Sequence, residues 1–216
     1  MRIVVVDYGL GNIKSIMNAL NFYKCDVMLS NETSVILGAD GLILPGVGSF
    51  AQGMENLKKY GLIETIKAYA KSGKPLLGIC LGMQLLLESG QEFGNHEGLG
   101  LIKGEVVQLS VQPISSFKLP HISWNPMTSL SNSWQGTILK GIRENLDEVY
   151  FVHSFIARPT NKKDILSLTE YGGSQFCSAL KFKNIYGCQF HPEKSGKIGL
   201  KIMQNFINLC KSIKNG

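Results

Sequence analysis

The 216 residues predict an α/β fold, a mostly parallel sheet flanked by helices and continued by antiparallel strands. Three observations carry that expectation. Short apolar runs without polar alternation recur through the first half, as strands buried on both faces require. Amphipathic stretches of helical period separate them. From Leu101 onward, strand-like runs follow one another with only short turns between.

Taken in order, Arg2 to Asp7 reads as a strand and Gly9-Leu10-Gly11-Asn12 as a turn. A helix then runs to about Tyr23 with Ile13, Ile16, Met17 and Leu20 on one face. Cys25 to Leu29 and Gly41 to Leu44 are the next strands, the latter closed by Pro45-Gly46-Val47-Gly48. A helix from about Phe50 to Lys71 carries Met54, Leu57, Leu62, Ile63 and Ile66. Pro75 to Ile79 is a fourth strand, and Leu81 to Ser89 begins another helix. Five further strands are expected at Leu101 to Leu109, Glu148 to Ala157, Ile165 to Glu170, Phe176 to Phe182 and Ile185 to Phe190. They are expected to extend the same sheet, which makes residues 1–216 a single domain. The last helix, Gly199 to Ile213, has Leu200, Met203, Phe206, Ile207 and Cys210 at helical spacing. Ser110 to Gly136 is the least regular stretch and reads as a surface loop.

Composition removes several classes of function. With 44% hydrophobic and 18% charged residues the chain can fill a core. No apolar run reaches the roughly 18 to 20 residues that span a bilayer. The N-terminal apolar run, Ile3 to Val6, is interrupted at once by Asp7 and a Gly-rich turn, a poor signal peptide. Five cysteines (Cys25, Cys80, Cys177, Cys188, Cys210) with no CxxC pair suggest reduced thiols in a cytoplasmic protein. The formal charge of +6 comes from scattered lysines, densest between Lys194 and Lys214. There is no Arg-rich arm and no aromatic-plus-basic stripe of the kind that reads nucleic acid.

The sharpest local signal is Leu76-Leu77-Gly78-Ile79-Cys80-Leu81-Gly82, an apolar strand running through Gly-x-Cys-x-Gly into a helix. This is the pattern of a nucleophile elbow with a thiol in place of a hydroxyl. The turn strains the central residue, the glycines remove side chains that would clash, and the sulfur stands at a helix N-terminus. A second signal is Gln189-Phe190-His191-Pro192-Glu193. In an extended segment His191 and Glu193 point to one side, so the carboxylate can hold one imidazole nitrogen and leave the other for a thiol proton. Taken alone, a His-x-Glu pair equally fits solvated surface residues or metal ligands. No third ligand stands at recognisable spacing, and neither metal nor cofactor is expected. The third element, Leu44-Pro45-Gly46-Val47-Gly48-Ser49-Phe50, could aim backbone N–H groups at the same crevice as an oxyanion hole. A dinucleotide reading of Asp7-Tyr8-Gly9-Leu10-Gly11-Asn12 fails because Lys14 stands where the third glycine belongs.

Together, Gly-Ile-Cys-Leu-Gly-Met-Gln, Phe-His-Pro-Glu-Lys-Ser and Pro-Gly-Val-Gly-Ser-Phe resemble a class I (triad) glutamine amidotransferase. The segments Asp-Tyr-Gly-Leu-Gly-Asn, Leu119-Pro120-His121-Ile122-Ser123-Trp124-Asn125 and Tyr150-Phe151-Val152-His153-Ser154 narrow the resemblance. They are similar to the glutaminase subunits of imidazole glycerol phosphate synthases, from residue 2 to about residue 210. The resemblance implies hydrolysis of L-glutamine to glutamate and ammonia. The ammonia would pass to a (β/α)8-barrel cyclase that makes imidazole glycerol phosphate and a purine-pathway by-product in histidine biosynthesis. It implies Cys80 as nucleophile, His191 as base and then acid, and Glu193 as its orienter. Val47 and Gly48 would supply the oxyanion loop, through a peptide flip on partner engagement. Gln84, Glu92, Ser154 and Phe155 match positions that grip glutamine, and Asn12, Trp124 and Lys194 match partner-facing positions. Two residues depart from the family pattern, Ser123 where Gly is usual and Phe155 where Tyr is usual. Both stand where partner or substrate is touched, so a paralogous synthase that amidates surface-polysaccharide sugars is the alternative acceptor.

Overall fold

The structure is a computed structural model that describes residues 1–112, 117–130 and 133–214. The first half follows the expected alternation: β1 (Arg2–Val6), α1 (Ile13–Asn21), β2 (Asp26–Ser30), α2 (Thr33–Leu37), β3 (Gly41–Leu44), α3 (Phe50–Lys59), α4 (Leu62–Lys71), β4 (Leu76–Ile79) and α5 (Leu81–Leu85). The second half is mostly strands: β5 (Ser89–Gly90), β6 (His96–Glu97), β7 (Gly104–Gln108), β8 (His121–Pro126), β9 (Thr128–Ser129), β10 (Glu148–His153) and β11 (Phe155–Pro159). Then come β12 (Ile165–Tyr171), β13 (Ser174–Phe182), β14 (Ile185–Cys188) and the closing helix α6 (Gly196–Lys214).

The main sheet has eight strands in the order β2-β1-β3-β4-β14-β13-β12-β9. Strands β2, β1, β3, β4 and β14 are mutually parallel, and β13, β12 and β9 continue the sheet antiparallel. Why the first half reads as unbroken apolar runs is visible in β1. Ile3 and Val5 enter the core on one face and Val4 and Val6 the core on the other, all four without solvent exposure. Helices α1 and α6 cover the first face with Ile16, Leu20, Met203 and Phe206. The other face takes Leu57 of α3, Ile66 and Tyr69 of α4, and Met83 of α5.

Four expectations need correction. The long helix from Phe50 to Lys71 is two helices, because Gly61 adopts a left-handed backbone (φ 67°) that ends α3 and starts α4 on a new axis. The helix after Cys80 ends at Leu85, and the chain goes on into β5. Amides of Leu99, Gly100 and Leu101 bind the Leu85, Leu87 and Leu86 carbonyls, so a returning loop takes over the helix C-terminus. The strands Leu101 to Leu109 and Glu148 to Ala157 do not join the main sheet. The latter breaks at Ser154 into β10, paired with β8, and β11, which belongs to a four-stranded sheet in the order β11-β7-β5-β6. Finally, Ser110 to Gly136 is not simply loop: it supplies β8 and β9, and Trp134, 5% exposed, donates its indole N–H to the Leu166 carbonyl at 3.0 Å. Residues 113–116 and 131–132 of that stretch lie outside the described residues. Helix α2 carried no signal that the sequence reading used. Among the described residues, no helix is long and apolar enough to cross a membrane.

Candidate active site

Strand β4 delivers Cys80 to the turn before α5. Cys80 takes φ 53° and ψ −110°, a conformation that L-residues rarely adopt, and its amide is tied to the Cys188 carbonyl at 2.7 Å. The glycines around it are there for space. A Cβ on Gly78 would meet the backbone of Gly82 and Met83 at 2.7 Å, and one on Gly82 would overlap the Leu44 carbonyl. The turn therefore needs bare backbone at both positions, at Gly78 to fold back on itself and at Gly82 to cross β3.

Beyond β14 the chain brings His191 over the sulfur from the neighbouring strand end. The His191 amide binds the Tyr150 carbonyl at 2.9 Å, and the short helical turn Pro192–Lys194 swings Glu193 back so that Oε1 meets His191 Nδ1 at 2.8 Å. Both side chains are buried, 2% and 0% exposed. His191 Nε2 is buried without a hydrogen-bond partner and faces Cys80. Burial alone would hold the imidazole pKa low, but the Cys80 sulfur first and the Glu193 carboxylate second reverse this and raise it from 6.5 to about 10. The site thus favours an imidazolium between sulfur and carboxylate.

Sulfur and imidazole open into a cleft of about 470 Å³ lined by Val47, Gly48, Gln84, Glu92, Ser154 and Phe155 among others. Its volume suits a small amino acid. The Pro45–Gly48 loop has a fixed root and a free tip. Tyr8 donates its buried hydroxyl to the Pro45 carbonyl at 2.6 Å, whereas Gly48 (φ 104°) would place a Cβ in open space and Val47 is exposed. Glu92 reaches across from the loop after β5 and accepts the Phe50 amide at 2.8 Å, at the first turn of α3.

A sulfur, a buried imidazole–carboxylate pair and a glycine-rich loop around an amino-acid-sized cleft describe acyl transfer from a small amide or ester. Comparison with known proteins makes it specific. The model of the family "Glutamine amidotransferase class-I" matches residues 4–209. The imidazole glycerol phosphate synthase subunit HisH 1 of Legionella pneumophila (strain Lens) is 49% identical over 209 residues, covering 95% of this chain and 98% of that one. HisH of Aquifex aeolicus is 45% identical over 207 residues, covering 95% and 96%.

The chain belongs to the class-I glutamine amidotransferases, in the HisH family.

Solved structures agree on the fold of this amidotransferase. A putative GMP synthase component from Thermoplasma acidophilum superposes with a TM-score of 0.72 at 21% identity, covering 100% of this chain and 96% of that one. PurLQS from Thermotoga maritima superposes at 0.70 with 21% identity, covering 96% and 97%.

The structure brings Cys80, His191 and Glu193 together with Val47, Gly48, Gln84, Glu92, Ser154 and Phe155 at one cleft. Three further residues named from the resemblance lie beside it. Asn12 donates its amide to Glu193 Oε1 at 3.4 Å, so it touches the imidazole–carboxylate pair directly. Trp124 is half exposed on β8 and packs against Tyr150 at 5.8 Å between ring centroids, with the exposed Lys194 ammonium 6.0 Å from the same Tyr150 ring. Gln84 is less available than expected: its amide nitrogen donates to the Phe155 carbonyl at 2.9 Å and to Gln189 Oε1 at 3.1 Å.

Sequence reading missed a buried pair in this amidotransferase, His121 and His153. They face each other across β8 and β10, with His121 Nδ1 3.0 Å from His153 Nε2. His153 lines the cleft and donates from Nδ1 to the Phe155 carbonyl at 3.1 Å, so its Nε2 accepts from His121 Nδ1. His121 Nε2 then faces the Ser123 hydroxyl and the Asn125 side chain, each at 2.8 Å. The signal was present in the period-two burial of Val149, Phe151 and His153, but only pairing with β8 makes it legible. Burial, and then His121, lowers the His153 pKa from 6.5 to about 3, and burial lowers that of His121.

The consequence is acid sensitivity. Between about pH 3 and 6.5 the unfolded chain protonates His153 and the folded chain does not, so this stability is present above pH 6.5 and drains away as pH falls. The urea midpoint is expected to fall from pH 7 to pH 5, and to fall less steeply in His153→Gln. Equal slopes would remove His153 as the cause.

Proposed function

We infer that the chain is the glutaminase subunit of an imidazole glycerol phosphate synthase, hydrolysing L-glutamine to glutamate and ammonia. The observation that carries this reading is the Cys80 elbow facing the buried His191–Glu193 pair, in a chain 49% identical to a named HisH subunit across nearly its full length. In this reading Cys80 Sγ attacks the carboxamide carbon of glutamine. The developing oxyanion is met by backbone N–H groups of Val47 and Gly48, after the free tip of that loop turns a peptide toward the cleft. His191 gives its proton to the leaving nitrogen, which departs as ammonia and leaves a γ-glutamyl thioester. The imidazole then takes a proton from water as it attacks the thioester, and glutamate leaves with the thiol restored. Glu193 holds His191 by Nδ1 throughout. Glu92 and the Ser154–Phe155 backbone face the amino-acid end of the substrate, where the negative charge of Glu92 suits an ammonium.

The partner in this reading is a (β/α)8-barrel cyclase that receives ammonia before water protonates it. Asn12, Trp124 and Lys194 form its docking side. Asn12 gives that side a direct contact with Glu193, which is a physical route for the partner to act on the triad. A cytoplasmic setting suits five cysteines that all remain thiols. The HisH relatives support a histidine-pathway acceptor and lend nothing to the sugar-amidating alternative.

The test is glutamate release by the purified chain, alone and with its histidine-pathway cyclase barrel, with and without cyclase ligand. Barrel plus ligand is expected to raise turnover by at least about tenfold, within the usual range of allosteric coupling. A cyclase active on free ammonia that leaves glutaminase turnover unchanged would overturn the partner assignment.

A further inference from the structure

Gln189 lies two residues before His191, is completely buried and touches the Cys80 sulfur. Its amide orientation is fixed by its surroundings. The Phe155 carbonyl can only accept, so Gln84 must present its Nε2 there. The same nitrogen lies 3.1 Å from the Gln189 side chain, which must therefore turn its oxygen toward Gln84. That leaves Gln189 Nε2 directed at Cys80 Sγ, 3.8 Å away. The sulfur also has the Val152 carbonyl at 3.9 Å, an acceptor that only a protonated thiol can use. The two neighbours thus distinguish the states of the sulfur: S–H donates to Val152, and the anion accepts from Gln189. With Gln189 unexposed and Gln84 4% exposed, water cannot replace the amide.

We propose that Gln189, held by Gln84, is a positioning residue that seats the Cys80 sulfur and favours its anion by donating a side-chain N–H. The proposal rests on the reading of Cys80 as nucleophile. It ties the Phe155 segment, through Gln84 and Gln189, to the reacting atom, and so gives Gln84 a task besides contact with substrate.

The experiment is alkylation of Cys80 by iodoacetamide across pH 5 to 9, followed by peptide mapping because four other cysteines are present. The full chain is compared with Gln189→Glu and Gln189→Met, with thermal melts as the folding control. In Gln189→Glu a carboxylate replaces the donor, and the alkylation profile is expected to move up by about one pH unit, with a roughly tenfold slower reaction at pH 6.5. In Gln189→Met the donor is lost without added charge, and a roughly threefold slowing is expected. In the assembled synthase both should lower kcat while KM for glutamine stays within about twofold. Should Gln189→Met not fold, Gln84→Met/Gln189→Met removes both partners of the internal amide contact and keeps the alkylation readout. Labelling of the parent at Cys80 by a glutamine-mimicking diazo-ketone separates the two ideas. A parent that escapes label overturns the nucleophile reading and this proposal with it. A labelled parent whose variants follow its alkylation curve overturns the proposal alone.

Discussion

Cys80→Ala is expected to lower glutamine-dependent turnover of the assembled synthase by about four orders of magnitude or more, the usual cost of deleting the nucleophile of a coupled triad. Ammonia-dependent turnover should stay within about twofold, because the cyclase chemistry belongs to the partner and needs only a nitrogen source. Alanine suits the test since Cys80 lies at the turn with its amide bound to Cys188, a contact that the substitution retains. Strain at φ 53° falls on cysteine and alanine alike, so stability should change little. The measurement is product formation with glutamine and with ammonium salt in parallel. Equal loss with both nitrogen sources would mean that Cys80 supports the complex structurally, and the nucleophile role would fall.

His191→Gln is expected to cost about three orders of magnitude in glutaminase kcat, since in the proposed mechanism the proton that leaves with ammonia passes through this ring. It also has a stability signature that a purely chemical role would lack. The folded-state pKa of His191 is about 10 against 6.5, so the folded chain holds a proton that the unfolded chain releases between those values. Stability from the imidazolium is therefore fully present below about pH 6.5 and is lost as pH rises through about 10. The parent should lose urea resistance from pH 7 to pH 10 more steeply than His191→Gln. The variant starts lower throughout, because Glu193 is left buried beside a neutral amide. The difference in slope is the readout. Parallel slopes would show that the imidazolium contributes nothing to folding over this range.

The two histidine sites pull in opposite directions for one physical reason. His191 sits between two groups that carry negative charge, so burial strengthens its attraction to them and the proton stays. His153 is buried against a second imidazole and a carbonyl, with no anion to compensate, so burial expels the proton. Sequence spacing shows only half of this difference: Glu193 stands two residues after His191, whereas the imidazole that faces His153 comes from another strand.

The sequence by itself located the strands of the first half of the sheet, and did so through double burial: β1, β3 and β4 are apolar at every buried position, while their order and register come from the fold. It also determined the elbow, whose glycines are required because a Cβ at 78 would meet Gly82 and Met83 and one at 82 would meet Leu44. The His191–Glu193 pair was legible as well, but not for the expected reason: the short helical turn Pro192–Lys194, and not extended backbone, carries Glu193 back to His191. What only the tertiary structure decided depends on contacts between distant segments. The partner of a strand is one such matter: Glu148 to Ala157 looks continuous, yet Ser154 hands it from β8 to β7, and that handover sets Phe155 against Gln84. Gly61 is another, tolerable within a helical pattern and turned into a helix end by its left-handed backbone. The direction of a buried amide is a third. Gln189 reads as one more residue of a β-strand run until the Phe155 carbonyl orients Gln84, and Gln84 in turn points the Gln189 N–H at the sulfur. Local pattern fixes which groups are buried; the hydrogen bonds they must then satisfy are fixed by whatever the fold places opposite them.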